Sequence, residues 1–490
     1  MSRATKIALV AWKMWAREMC RALRVPPSFA AVIGLLTVVA AFFFGCVLAS
    51  VTVSRLGADL PADLAPIIAR ASLAGVWITS GLIATIFAVT SPPRTMLHAL
   101  LDLLPVGRRA AAVGQLAPMV TVATAFCVAL SLPTLAVFAR IFAGATLVRG
   151  VLAVVACIGV TQILCVALFL TLSWMLRRGT RFAGGIADTL AAFVVMAGIL
   201  ATASGDVITA DISTSAPLDV LPHRILAAGV VAQLPLATAA MAAGWVVILV
   251  VLVLVAVSVR PAASEQRAPL LLRGWAPPHG RMLPIIWFEL VTAVRSLSFL
   301  TTVTGGVGLV LGATVLLQAP VTADLARALA SMAPTVPFAL GVYAVGRTLP
   351  VTWISAHAAP ERNGHAIAVA VAAAVVGIAV STILVVPLVL TGVLTVTDLP
   401  ALGARAVQAG ALALLAGALI PASQEQSIST TAAAFLFGVL LLGSSVSLNV
   451  AATFWGDTFV PWMALAGAAI ACALYMQTCA RHPIADRANG

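Results

Sequence analysis

The stretches EMCRALRVPPSF at 18–29 and ELVTAVRSLSF at 289–299 decide how this chain is built. In each, a glutamate is followed six residues later by an arginine, and then by a Ser-Phe pair that opens a long apolar run. The copies begin at Glu18 and Glu289, about 270 residues apart in a chain of 490. Self-similarity on this scale, with an apolar run after each copy, reads as a duplicated multi-span unit preceded by a short lead-in.

Composition agrees with that reading. Hydrophobic residues make up 62% of the chain and charged residues 9%, with a mean hydropathy of +1.11. So few charges cannot cover the surface of a water-soluble protein this long. Apolar runs near the ~20 residues needed to cross a bilayer core recur throughout. The expected fold is all-α, a polytopic membrane protein of about twelve transmembrane helices in two pseudo-symmetric six-helix bundles. The spans are expected at 29–53, 68–90, 111–138, 151–176, 182–204 and 236–259, then at 300–318, 330–346, 366–391, 404–421, 428–448 and 460–480. This divides the chain into an N-terminal lead-in at 1–28, a first unit at 29–259, a cytoplasmic linker with a second lead-in at 260–299, a second unit at 300–480, and a tail at 481–490. The linker is marked by Arg260-Pro261, Pro269, Pro277-Pro278 and Pro284.

The net charge of +12 does not point to nucleic acid, because the arginines alternate between connections and do not cluster on one face. Arg3, Lys6, Lys13, Arg17, Arg21 and Arg24 precede the first span. Arg108-Arg109, Arg177-Arg178, Arg260 to Arg295, Arg347 with Arg362, and Arg481 with Arg487 follow in alternate connections. The intervening connections hold most of the aspartates, among them Asp59, Asp63, Asp206, Asp211 and Asp398. The positive-inside rule then places both termini in the cytoplasm and requires an even number of spans. Seven cysteines without CxxC spacing favour neither a disulfide framework nor a zinc site. The basic N-terminal stretch is too long for a cleavable signal peptide.

Each lead-in is readable as a helix. Over 5–24, Lys6, Lys13, Arg17, Arg21 and Arg24 share one face, while Ile7, Val10, Ala11, Met14, Trp15 and Ala22 take most of the other. That is an interfacial helix on the cytoplasmic leaflet, anchored by Trp12 and Trp15 and attracted to anionic lipid. Over 283–296 the same wheel sets Glu289, Thr292 and Arg295 opposite Trp287, Phe288, Val291 and Val294. The connection 205–235 contains an apolar segment, Ile225 to Leu234, that is too short to span. It reads either as a re-entrant or interfacial hairpin, covered at membrane depth by protein or water, or as a solvated loop.

Motifs for catalysis are scarce. The only lysines are Lys6 and Lys13, which excludes a Walker A loop. HExxH, GxSxG and EF-hand patterns are absent from the sequence. His357, Glu361 and His365 have the spacing of ligands on one helical face, but Pro360 and Gly364 interrupt any such helix, so no metal site is assigned. Asp59 and Asp63 lie among Pro61 and Pro66 and read as a solvated loop. Asp188 falls within the fifth span, where an ionisable group needs a partner. Arg178 or Arg181 is in reach, and a structural salt bridge is preferred to a proton site. Leu103 to Arg109, sequence LLPVGRR, forms a compact basic turn before the third span. The matching connection of the second half carries Pro360, Glu361, Arg362, Asn363 and Gly364.

On these residues the chain resembles the permease subunits of type-2 ATP-binding-cassette (ABC) exporters. In that family an amphipathic elbow helix precedes six spans, and a Leu-Leu-Pro-x-x-Arg-Arg loop after the second span meets the ATPase. The resemblance implies two six-span units fused in one chain, with elbow helices carrying Trp12, Trp15, Arg17, Glu18 and Arg24, then Trp287, Glu289 and Arg295. It implies coupling loops at Leu104, Pro105, Val106, Gly107, Arg108 and Arg109 and, less closely matched, at Pro360, Glu361 and Arg362. A pair of cytoplasmic ATPase subunits, identical or different, would supply ATP and Mg, and this chain would hold no cofactor and perform no catalysis itself. The expected setting is the bacterial inner membrane, with surrounding lipid and an amphiphilic or hydrophobic substrate, such as a drug, peptide or lipid-like molecule. Two rival readings are an ion-coupled secondary transporter using Asp188 and a membrane-embedded transferase using Asp59 and Asp63.

Overall fold

The computed structural model describes residues 3–23, 26–29, single positions between 32 and 50, 65–90, 107–179, 184–208, 220–231, 236–258, 278–280, 282–317, 323–348, 364–421 and 427–481. Among the described residues all regular structure is helical. Seven helices there are long and apolar enough to cross a membrane, and a bent pair would make an eighth. The protein is therefore a multi-pass helical membrane protein. By contact density the chain divides into two compact units, one comprising Met1–Cys20 with Pro26–Ser264, the other Arg21–Val25 with Glu265–Gly490.

The first unit opens with all but the last three residues of α1 (Arg3–Leu23), and the described positions between Val32 and Ser50 are helical. It continues through α2 (Ala65–Thr90), α3 (Arg108–Leu130), α4 (Leu132–Ile141), α5 (Gly144–Gly179), α6 (Gly184–Ile208), α7 (Pro222–Val231) and α8 (Leu236–Ser258). The centre is α2, packed against α3, α5, α6 and α7. Its buried residues are mostly small, including Ala69, Ala74, Ser80 and Ala84, and Gly81 leaves room for Ile199 of α6. Small residues let membrane helices approach closely where no hydrophobic force drives them together. The 36 residues of α5 measure about 54 Å at 1.5 Å per residue, well beyond the ~30 Å hydrocarbon core. Its last turn, with Arg177 and Arg178, therefore has length to spare outside the apolar layer.

The segment 222–231 is settled in favour of protein cover. Its ten-residue helix α7 buries Pro222, His223, Ile225, Ala227 and Val230 against α2 and α5. His223 lies against the Trp77 ring at 5.2 Å between centroids, while Trp77 donates its indole N–H to Thr202 Oγ1 at 3.1 Å. From α8, Trp245 donates to the Val220 carbonyl at 2.6 Å, which ties down the entry to α7. Residues 209–219 lie outside the described residues.

The second unit runs through α9 (Leu283–Val294), α10 (Leu297–Leu316), α11 (Ala323–Met332), α12 (Gly341–Thr348), α13 (Gly364–Leu390), α14 (Leu399–Leu419), α15 (Ser427–Trp455) and α16 (Val460–Arg481). Helices α9 and α10 meet at 62° around Arg295 and Ser296. The continuous span expected at 330–346 is broken, with α11 and α12 separated by a turn and a 3-10 segment at Val336–Leu340. Pro334 and Pro337 account for the break, since neither can donate to a helical ladder and each clashes with the preceding turn. The Pro334 carbonyl accepts the Ser381 hydroxyl of α13 at 2.7 Å instead.

Phe338, in that 3-10 segment, is the key of this unit. A Cβ on Gly377 of α13 would stand 2.8 Å from its ring, and one on Gly410 of α14 would stand 2.7 Å away. Helix α14 is buried around most of its circumference and packs on α12 and α16. At Gly417 a Cβ would come 2.5 Å from the Val342 carbonyl oxygen, so only glycine permits that backbone approach.

Candidate functional site

Three places gather the residues singled out in the sequence: the seat of α1, the seat of α9, and the junction of α5 with α6.

Helix α1 has two unlike apolar sides. Ile7 and Ala11 are buried, whereas Leu9, Val10 and Trp12 are exposed along with Lys6, Lys13 and Arg17. Val10, expected beside Ile7 and Ala11, thus lies on the outer surface. The buried side rests on α3 at Gly114, where a Cβ would stand 2.7 Å from Ile7 Cβ and 2.9 Å from the Ala4 carbonyl oxygen. Trp15 and Glu18 are helical in α1, but their side chains lie outside the described residues, as does Arg24 altogether.

The basic turn before the third span ends earlier than its sequence implies. Gly107, at φ −61° and ψ 130°, caps α3, and Arg108 and Arg109 are the first helical residues. The Gly107 carbonyl accepts from the N–H groups of Ala110 and Ala111 at 2.9 and 3.1 Å. Arg109 is exposed. Two cations at the positive end of a helix dipole oppose it by about 0.3–1 kcal/mol each, so helix stability does not account for them. Leu104, Pro105 and Val106 lie outside the described residues, as do Pro360, Glu361 and Arg362 of the second half.

Helix α9 corrects the wheel reading of the second lead-in. Ile285, Glu289 and Ala293 form one buried stripe, while Leu283 and Phe288 are exposed. Glu289, expected on the polar outer face, is only 2% exposed. Trp287 and Arg295 are half-buried. The stripe packs on α13, with Ile285 against Ala368. His365, in the first turn of α13, brings Nδ1 to 3.6 Å from Glu289 Oε1. Arg347, in the last turn of α12, acts electrostatically on the same carboxyl and donates from Nη1 to Ser296 Oγ at 3.1 Å. Ser296 in turn accepts the Phe299 backbone N–H at 3.2 Å and shares a 2.8 Å hydrogen bond with Ser298, so it caps the opening of α10. Tyr475 of α16 is fully buried and donates to the Ala366 carbonyl at 3.0 Å, one residue past His365.

A wheel that weighs each residue type by itself turns Glu289 outward. What turns it inward is the arrival of Arg347, His365 and Tyr475 from three other helices. The available signal was the placing of Arg347 and His365 at the two ends of one connection, 349–363; Tyr475 gave none.

Asp188 has a partner, but not Arg178. It accepts from Arg177 and from Ser173, both on α5. Ser173 and Arg177 are four residues apart and share a face towards α6. Arg178 is turned by about 100° from that face and lies over the Trp174 ring, 5.4 Å from its centroid, as a cation–π contact. Arg181 lies outside the described residues. With side-chain exposures of 11% for Arg177 and 20% for Asp188, this is a mostly covered ion pair with a second hydrogen bond, from Ser173. Such an arrangement holds α5 to α6.

Elsewhere, an open groove of about 490 Å³ between α13 and α14 has apolar walls and two hydroxyls, Ser381 and Thr382. Ser381 is committed to Pro334 and Thr382 to the Ile378 carbonyl. It offers no charged group to an ion. His365 meets Glu289 and not a metal-ligand set, and no group of three metal-ligating side chains occurs among the described residues. Asp59, Asp63 and His357 lie outside them. Comparison with protein-family models, with curated proteins and with solved structures finds no match.

Proposed function

We propose that this chain is the permease of an ATP-driven exporter of the type-2 ABC class, with two six-span units in one polypeptide and both termini in the cytoplasm. Separate ATPase subunits would bind ATP and Mg and drive it in a bacterial inner membrane. One observation carries the reading. In each unit the lead-in helix is seated on the opening turns of the helix that follows the proposed coupling connection. Helix α1 rests on Gly114 of α3, just after LLPVGRR, and α9 rests on Ala368 of α13, just after 349–363. A push on either connection would reach its lead-in helix and the following span together, the geometry needed to switch a bundle between two states.

The cations at the start of α3 suit an acidic groove on a partner, since they do nothing for their own helix. A substrate with much apolar surface suits spans that carry few fixed charges. Asp188, the candidate of the ion-coupled alternative, is held by Arg177 and Ser173, which supports the structural pair at that residue. The test is recovery of the chain from native membranes. Co-purification of a soluble protein with a Walker A loop, lost on Arg108→Glu with Arg109→Glu, is the expected result. A double variant that retains full ATPase association and stimulation removes the coupling assignment.

A further inference from the structure

The polar cluster of the second unit lacks hydrogen bonds on both the donor and acceptor sides. Neither oxygen of the Glu289 carboxyl has a hydrogen-bond partner among the described residues, and the same is true of Arg347 Nε and His365 Nδ1. All four atoms are shielded from solvent. A fully ionised, unbonded carboxylate in this setting costs several kcal/mol. The charged and titratable groups that act on it come from three other helices: α12 supplies Arg347, α13 supplies His365, and α16 supplies Tyr475. Of these, Arg347 spends Nη1 on Ser296 and Tyr475 spends its hydroxyl on Ala366. His365 alone presents a nitrogen that both accepts and releases a proton near neutrality.

The 3.6 Å between Glu289 Oε1 and His365 Nδ1 lies just outside hydrogen-bond range, and a small rotation of either side chain closes it. Without a shared proton the two groups face each other as acceptors, unless the imidazole spends its one N–H here. With it, they form either an O–H···N bond or an imidazolium–carboxylate pair. We propose that Glu289 and His365 together form a proton-binding site that joins the second lead-in helix to the first turn of α13. The proton belongs to the pair, and the two groups titrate together. Its occupancy sets whether α9 is bonded to α13 at the end of the 349–363 connection, whatever the protein transports.

The test is an infrared pH titration of the full-length protein in lipid nanodiscs, from about pH 5 to 9, where histidine and perturbed carboxyls exchange protons. The expected result is a protonated-carboxyl band that titrates in this range, disappears in Glu289→Gln, and shifts its midpoint by about one pH unit or more in His365→Asn. Glutamine keeps the size of the side chain and a donor for His365, so this variant is expected to fold. A carboxyl signal that is identical in wild type and Glu289→Gln across the range overturns the proposal. So does a Glu289 band indifferent to His365→Asn.

Discussion

Removing Asp188 tests whether this acid at the junction of α5 and α6 is a strut or a working group. In Asp188→Leu the Arg177 guanidinium keeps its place on α5 but loses the carboxylate that compensates it, and Ser173 loses its acceptor. Breaking a fully buried pair from one side costs about 3–5 kcal/mol, whereas an exposed pair is worth about 0–1 kcal/mol. Side-chain exposures of 11% and 20% place this pair between those limits, at about 1–3 kcal/mol. For a unit of this size each kcal/mol moves the unfolding midpoint by roughly 2–4 °C, so Tm should fall by roughly 2–12 °C. The assay is thermal unfolding of the full chain in nanodiscs, followed by tryptophan fluorescence. Arg177→Met combined with Asp188→Leu removes both charges and should recover at least half of the loss, because apolar replacement of an ion pair is often neutral. Asp188→Asn, which keeps an acceptor for Ser173, should lose less than Asp188→Leu. An unchanged Tm in Asp188→Leu, or a double variant with simply additive losses, refutes the strut. A stable double variant with normal transport would also end the ion-coupled reading of this residue.

Two further outcomes follow from close approaches. Gly114→Ala should lift α1 from α3, and Ile7→Ala should not rescue it, because the Cβ of residue 7 and the Ala4 carbonyl still stand in the way. Peptide-level maleimide labelling of Ala11→Cys, 4% exposed in the native protein, should accelerate in Gly114→Ala; unchanged labelling contradicts the seat. Gly377→Ala and Gly410→Ala should each cost about 1–3 kcal/mol by overpacking, and Phe338→Leu should relieve either one, since both clash with the same ring. Equal Tm losses with and without Phe338→Leu would show that the ring is not the obstacle.

Much of the helix layout was legible because hydropathy acts over a whole run and does not depend on neighbours. All seven helices that meet the length and composition test overlap expected spans. The expected span at 330–346 failed at Pro334 and Pro337, where a rule local to the backbone overrides hydropathy. The site was less legible. That Asp188 needed a partner followed from its burial in an apolar run, yet choosing Arg177 over Arg178 required the phase of α5 and the position of Ser173 against α6. Glu289 was found as half of a repeat and placed on the wrong face.

The sequence by itself determined that this is a membrane protein with a repeated lead-in, since the cost of exposing apolar surface to water and the Glu-to-Arg repeat are properties of the chain alone. Only the tertiary structure decided which side of each lead-in is buried. That choice depends on partners from distant positions: Gly114 for α1, and Ala368, His365 and Arg347 for α9. A helical wheel ranks side chains by their affinity for water, whereas a packed helix ranks them by what stands opposite.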